Sequence, residues 1–101
     1  MEILEEMLKM QKKFQDKYGY YPPLHRVASA IASEAMELWQ AGKGKWWSKK
    51  DYNRHDKVEE VVDILHFFLI ACLELGISAQ ELFDEYSKKL AENYRRQKRG
   101  Y

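Results

Sequence analysis

Apolar positions recur at helical spacing along almost the whole of this chain, and nowhere alternate as a half-buried strand would. Ile3, Leu4, Met7, Leu8, Gln11, Phe14 and Tyr18 fall three or four residues apart, which predicts a first helix over Glu2 to Tyr18, ended by Gly19. Tyr20-Tyr21-Pro22-Pro23 makes a stiff connection, and Pro23 suits the first position of the next helix, where a missing N–H does no harm. The second helix is expected from about Leu24 to Ala41, striped by Val27, Ala30, Ile31, Leu38 and Ala41 and closed by Gly42 and Gly44. Lys43 to Asp56 is the one long irregular segment, of a kind that is usually functional or mobile. A third helix follows to about Leu75, with Gly76 as a left-handed cap. Ser78 and Glu81 have capping-box spacing and open a fourth helix, striped by Leu82, Phe83, Tyr86, Leu90 and Tyr94 and fraying near Gln97. With no internal repeat and no linker, the expectation is a single all-α domain of four helices over residues 1–101.

The third helix is apolar almost all round. Val58, Val61, Val62, Leu65, Phe68, Leu69 and Cys72 form one broad arc, which continues into Phe67, Ile70 and Ala71. Glu60 and Asp63 sit one turn apart on a face that is otherwise apolar, with Glu59 beside them. On the second helix, Glu34 projects from the middle of the stripe and Glu37 lies at its edge one turn on. Charges buried this way are costly unless paired or bound to a metal. No lysine or arginine follows Arg26 on the second helix to pair with them. A divalent cation between the two helices turns the repulsion into a binding site. Mg²⁺ fits best, because it is hard, prefers carboxylate oxygen and binds phosphates. Zinc is disfavoured, since only His66 lies near the acidic face. One E-x-x-E or E-x-x-D alone reads as surface acids in a chain that is 33% charged; two such pairs, each set into an apolar stripe, reverse those odds.

At 101 residues the chain is enough for one small domain with a modest core, so self-association is a source of further burial. A third helix that needs neighbours on every side points the same way. The expectation is a homodimer or a dimer of dimers, with the pocket near the subunit interface. The apolar share of 46% argues against disorder. A net charge of +1 gives no global field for nucleic acid, although Lys88, Lys89, Arg95, Arg96, Lys98 and Arg99 crowd the C-terminal end. The single cysteine, Cys72, allows no disulfide within the chain and suits a reducing compartment. No signal peptide is read ahead of the first helix, and the apolar run from Ile64 to Leu73 is too short to span a bilayer. These features predict a cytoplasmic protein with neither membrane nor nucleic acid as a partner.

The E-x-x-E of one helix followed by the E-x-x-D of the next resembles the all-α nucleoside triphosphate pyrophosphohydrolases, which include the MazG-like proteins and the dimeric dUTPases. Further residues resemble the dUTPase branch. EEVVDILHFFLIACLELGI is similar to its E-x-x-D helix, including His66 directly after Leu65. Lys45, Trp46, Trp47 and Ser48 resemble its lysine–aromatic–tryptophan loop, and NYRRQKRGY, from Asn93 to Tyr101, its C-terminal motif. Met10-Gln11 resembles the start of its uracil-reading motif. The resemblance implies a four-helix bundle completed by oligomerisation. It also implies a Mg²⁺-dependent hydrolysis of dUTP, and of dUDP, to dUMP, with Glu34, Glu37, Glu60 and Asp63 as metal ligands and catalytic groups. Glu34 is the expected general base, because its stripe is the most apolar and burial raises a carboxylate's proton affinity. Lys45, Arg96 and Lys98 become phosphate contacts, Gln11 a reader of the base, Trp47 a stacking surface, Asn93 a sugar contact and His66 a group that orients a ligand carboxylate. For most of these a plainer role stands beside the functional one: a solvated basic helix end, a loop tryptophan over the core, a satisfied core histidine.

One position departs from the family pattern. The resemblance calls for asparagine four residues after Gln11, and this chain has Gln15, whose longer side chain displaces the amide. Base selectivity therefore stays open, with a MazG-like enzyme of dCTP or of non-standard nucleotides as the alternative. A more distant alternative is a non-catalytic helical module whose basic tail binds an acidic partner. The inward acids argue against it, because without a metal they would repel phosphate.

Overall fold

A computed structural model describes residues 2–100 as four α-helices with no strand: α1 Glu2–Tyr18, α2 Leu24–Ala41, α3 Arg54–Leu75 and α4 Ala79–Lys98. The bounds of α1 and α2 are those predicted. Local chemistry sets the helix ends. Pro23 is the N-cap of α2 rather than its first helical residue, and its carbonyl accepts from the N–H groups of Arg26 and Val27. At the other end of α2, Gly44 lies under the Trp39 indole, which would have to move to admit a Cβ. α3 starts two residues before the predicted end of the loop. Asn53 accepts from the Asp56 N–H, and the Asp56 carboxylate accepts in return from the Asn53 N–H. This Asn-x-x-Asp pair is a capping box in less usual residues, which is why the boundary was hard to read. Gly76, at φ 70°, closes α3 in the left-handed conformation as predicted. The Ser78 hydroxyl accepts from the Glu81 N–H to open α4.

α2 and α3 share the most extensive contact, α1 crosses α3, and α4 touches α1. The main core gathers Leu8, Leu69, Cys72 and Ala79, flanked by Leu4, Met7, Leu65, Leu73, Ile77 and Leu82. Val27 and Ala41 on α2 and Ile70 on α3 are also buried. The broad arc predicted for α3 is buried only in its second half: Leu69, Ile70 and Cys72 are covered, whereas Val58, Val61, Val62 and Phe68 are exposed. The reason is the course of α4, which leaves the end of α3 at a bend of 108° and does not run back along it. Phe83, Tyr86, Leu90 and Tyr94 on α4 are exposed in consequence. The radius of gyration is 16.5 Å, against about 13 Å for a closed domain of this length. Within one chain the four helices thus do not close into a bundle. No single helix among the described residues is long and apolar enough to cross a membrane.

Ile70 is 1% exposed at the centre of α3, so Ile70→Ala should lower the unfolding free energy by about 2–5 kcal/mol. Urea denaturation followed by circular dichroism reads this directly.

Candidate metal centre

The contact between α2 and α3 aligns their acidic pairs. One carboxylate oxygen from each of Glu34, Glu37, Glu60 and Asp63 lies within 4.8 Å of the others. Glu34 and Glu60 are half-buried, and Glu37 and Asp63 are exposed at the rim. Glu34 Oε2 and Glu60 Oε2 are buried without a hydrogen-bond partner. Among the described residues no cation is paired with the four. The ion pairs among the described residues are made instead with Asp16, Asp51, Glu59, Glu85 and Glu92. Glu59, read from sequence as a further carboxylate of this face, instead pairs with His55 at 2.8 Å.

Four like charges at this separation raise one another's proton affinity. Burial pushes the Glu34 carboxyl up to about 7, and Glu37, Asp63 and Glu60 add to the rise. Burial, then Glu37, raises Glu60 as well. Two orphaned buried oxygens within an all-carboxylate cluster are what a hard divalent cation relieves, so the residues present fit such an ion. They offer no nitrogen or sulfur ligand of the kind zinc prefers.

On the side of α3 that faces α1, the two helices bound an open groove of about 360 Å³. Met7, Met10, Phe14, Val62, Leu65 and Leu69 supply its apolar walls, and Gln11 and His66 its polar groups. Gln11, which falls in the predicted stripe of α1, is buried, and so is Gln15, one turn on along the same face and not read as buried from the sequence. They form a chain of hydrogen bonds. Gln15 Nε2 donates to the Tyr20 carbonyl at 2.9 Å, and Gln11 Nε2 donates to Gln15 Oε1 at 3.3 Å. His66 Nδ1 lies 3.0 Å from Gln11 Oε1. His66 thus bonds through Nδ1 to Gln11 of α1, and among the described residues it makes no hydrogen bond to the four acids.

The remaining candidates stand apart from the cluster. Lys45 and Trp47 are exposed on the loop, where Trp47 packs edge-on against Trp46 at 5.6 Å and neither side chain bonds to the four acids. Asn93 and Lys98 are exposed on α4, and Arg96 is half-buried with its Nε 3.4 Å from Glu92. Glu92 also pairs with Arg95 and Arg99, a local neutralisation of the basic end that sequence spacing alone did not single out. Tyr101 lies outside the described residues. Helical rise places Glu60 roughly 22 Å along α3 from its junction with α4, and Arg96 roughly 25 Å along α4 from the same point. With the bend of 108°, the basic end and the acids of one chain are far beyond the reach of a side chain.

Glu34 gives the metal-free chain a defined pH dependence. Folded, it keeps its proton to about pH 7; unfolded, it ionises near 4.5. Between these values the folded state binds the extra proton, so stability should fall as pH rises through the window and level off on either side. Thermal melts in chelator should show this fall, and Glu34→Gln should flatten it. Above the window, added Mg²⁺ should raise the melting temperature of the native sequence and raise that of Glu34→Gln much less.

The family model described as dUTPase matches residues 3–78, which hold α1 to α3, the four acids and the groove, and leave out α4. Over 75 residues the chain is 40% identical to the dCTP pyrophosphatase of Enterobacteria phage LZ5, covering 69% of this chain and 44% of that protein. Over 76 residues it is 33% identical to the dCTP pyrophosphatase of Enterobacteria phage T4, covering 67% and 44%. The chain thus spans less than half the length of these curated relatives. No solved structure matches it. A match over three of its four helices, including every residue of the acidic cluster, shows that the chain belongs to the dUTPase family.

Proposed function

We propose that residues 1–101 act as one domain, a Mg²⁺-dependent pyrophosphohydrolase that cleaves a pyrimidine deoxynucleoside triphosphate to the monophosphate and pyrophosphate. The observation that carries this reading is the pair of buried, unpartnered oxygens of Glu34 and Glu60 in a four-carboxylate cluster. The family description supports dUTP as substrate. A second reading, dCTP, is supported by the two related phage dCTP pyrophosphatases and by Gln15 in place of the expected asparagine.

Glu34, Glu37, Glu60 and Asp63 would hold the cation. When bound, it supplies charge that neutralises phosphate oxygens and lowers the proton affinity of water. The chain's own groups do the rest. Glu34, whose carboxyl burial and the neighbouring acids lift to about 7 in the metal-free chain, is the proposed acceptor of the attacking water's proton as the bond between the α- and β-phosphates breaks. Lys45, Trp47, Arg96, Lys98 and Asn93 are the proposed contacts to phosphate, base and sugar. Phosphoryl chemistry of this kind depends on positioning and charge more than on covalent help.

The same reading includes a homodimer or a dimer of dimers. Exposed apolar faces on α3 and α4 support it, and so does the distance between the basic end of α4 and the acids of its own chain. A second copy whose α4 lies across this site would bring arginine and lysine to the acids, with complementary charge.

Glu34→Gln or Glu60→Gln should reduce turnover of the preferred nucleotide at least about 100-fold with helical content unchanged, in a nucleotide panel run with Mg²⁺ and with chelator. Light scattering at micromolar protein should give the mass of two or four chains. Mixing Glu34→Gln with Arg96→Ala chains should restore about a quarter of the native rate if the tail serves the partner's site, because half the dimers then carry one intact site. No recovery from two inactive variants would place the tail's action within its own chain.

A further inference from the structure

The loop that joins α2 to α3 is closed on itself by one side chain. Lys43 has φ 72°, in the left-handed region, and is the one residue other than glycine with a positive φ among the described residues. Glycine is spared the clash that a Cβ meets there, yet the position falls to lysine, with Gly42 and Gly44 on either side. The backbone bonds of the turn do not account for the choice, since any residue but proline supplies them: the Lys43 N–H donates to the Gln40 carbonyl at 3.0 Å and the Gly44 N–H to the Trp39 carbonyl at 2.7 Å. The lysine side chain does. Its Nζ donates to the Lys50 carbonyl at 3.0 Å and to Asp51 Oδ1 at 2.6 Å, seven and eight residues on. Between these ends lie Lys45, Trp46 and Trp47, all exposed, and Ser48, whose N–H donates back to the Lys45 carbonyl at 2.9 Å. The loop leaves α2 four residues after Glu37 and enters α3 six residues before Glu60, so helical rise sets both of its ends within roughly 10 Å of the acids.

We propose that Lys43 and Asp51 are positioning residues, whose bonds across the loop hold Lys45 and Trp47 in the arrangement that meets the nucleotide. This inference rests on the nucleotide-hydrolysis reading above, in which those two side chains contact phosphate and base. An exposed ion pair adds little to the stability of the whole fold, but here it takes freedom from the segment it spans. A segment that is already closed gives up less on binding, and so binds more tightly. A simpler role for Lys43 is a direct pull on phosphate by its charge. The two roles differ in sign at Asp51. If Lys43 acts by charge alone, removing the Asp51 carboxylate leaves more positive charge on the loop and tightens nucleotide binding. If Lys43 acts by closing the loop, the same change weakens binding.

Backbone ¹⁵N relaxation of the metal-free chain reads the loop without any assay of activity. The amides of Lys45 to Lys49 should have order parameters above about 0.8 in the native sequence, and these should fall toward about 0.6 in Lys43→Met, which keeps the stem and loses the ammonium, and in Asp51→Ala. Both variants should melt within about 2 °C of the native chain, since the fold does not depend on the pair. In the nucleotide panel with Mg²⁺, each should raise KM for the preferred nucleotide about tenfold with kcat within about twofold, and Lys43→Arg, which can reach both acceptors, should keep the native KM. The double variant should be no worse than either single one, because both remove the same link. A lower KM in Asp51→Ala overturns the proposal, and so does an unchanged KM in both variants. A lower melting temperature with the loop still ordered marks a purely structural pair and overturns it too. A native loop as mobile as that of the variants overturns it whether or not the protein is active. An ordered loop that both variants loosen, in a protein that hydrolyses no nucleotide, refutes the function proposed above and leaves the closure of the loop standing.

Discussion

The repulsion among four carboxylates held between α2 and α3 is the constraint on which the rest of this structure depends. Each helix alone tolerates its acidic pair, since acids three residues apart cost an isolated helix little. The cost arises when packing brings the two pairs to a common point and removes water from Glu34 and Glu60. Burial and mutual repulsion then lift Glu34 to about 7. In a small domain with a modest core, such an arrangement works against stability. It becomes favourable once positive charge enters the cluster, and the α2–α3 contact is the most extensive in the chain.

The groove between α1 and α3 follows a different logic. Its walls are apolar side chains of α1 and α3, and its polar groups, Gln11 and His66, bond to each other and, through Gln15, to the Tyr20 carbonyl. The Tyr20 carbonyl lies beyond the end of α1, in the connection that Gly19 begins. Its backbone N–H bonds back to the Gln15 carbonyl at 3.0 Å, so the turn and the side-chain network are fixed by the same few atoms. The stiff Tyr-Tyr-Pro-Pro connection thus reaches the groove through two buried amides. A change in this turn would be felt at His66, across the α1–α3 contact.

The open course of α4 decides how much of the proposed machinery one chain can assemble. α1 to α3 make the acids and the groove, and they are also the part that matches the family model. α4 carries the basic end away from both. Its exposed Phe83, Tyr86 and Leu90, together with Val61 and Val62 on α3, are apolar surfaces that a single chain leaves in water. A radius of gyration of 16.5 Å expresses the same incompleteness.

The helices were legible in the sequence because their periodicity and end signals are local: Gly19, Pro23, Gly76 and Ser78 fix φ, remove a donor or cap a terminus wherever the chain goes next. The acidic quartet was legible for a related reason, since E-x-x-E and E-x-x-D each mark one face of one helix. What lay outside the sequence's reach depends on how separate helices meet. The 108° turn of α4, the exposure of Val58 to Val62, and the attachment of His66 to Gln11 rather than to Asp63 are set by three-dimensional packing. So is the direction of the hydrogens between Tyr20 and His66, because a side chain's donor or acceptor role is decided by the partner it meets and not by its own identity.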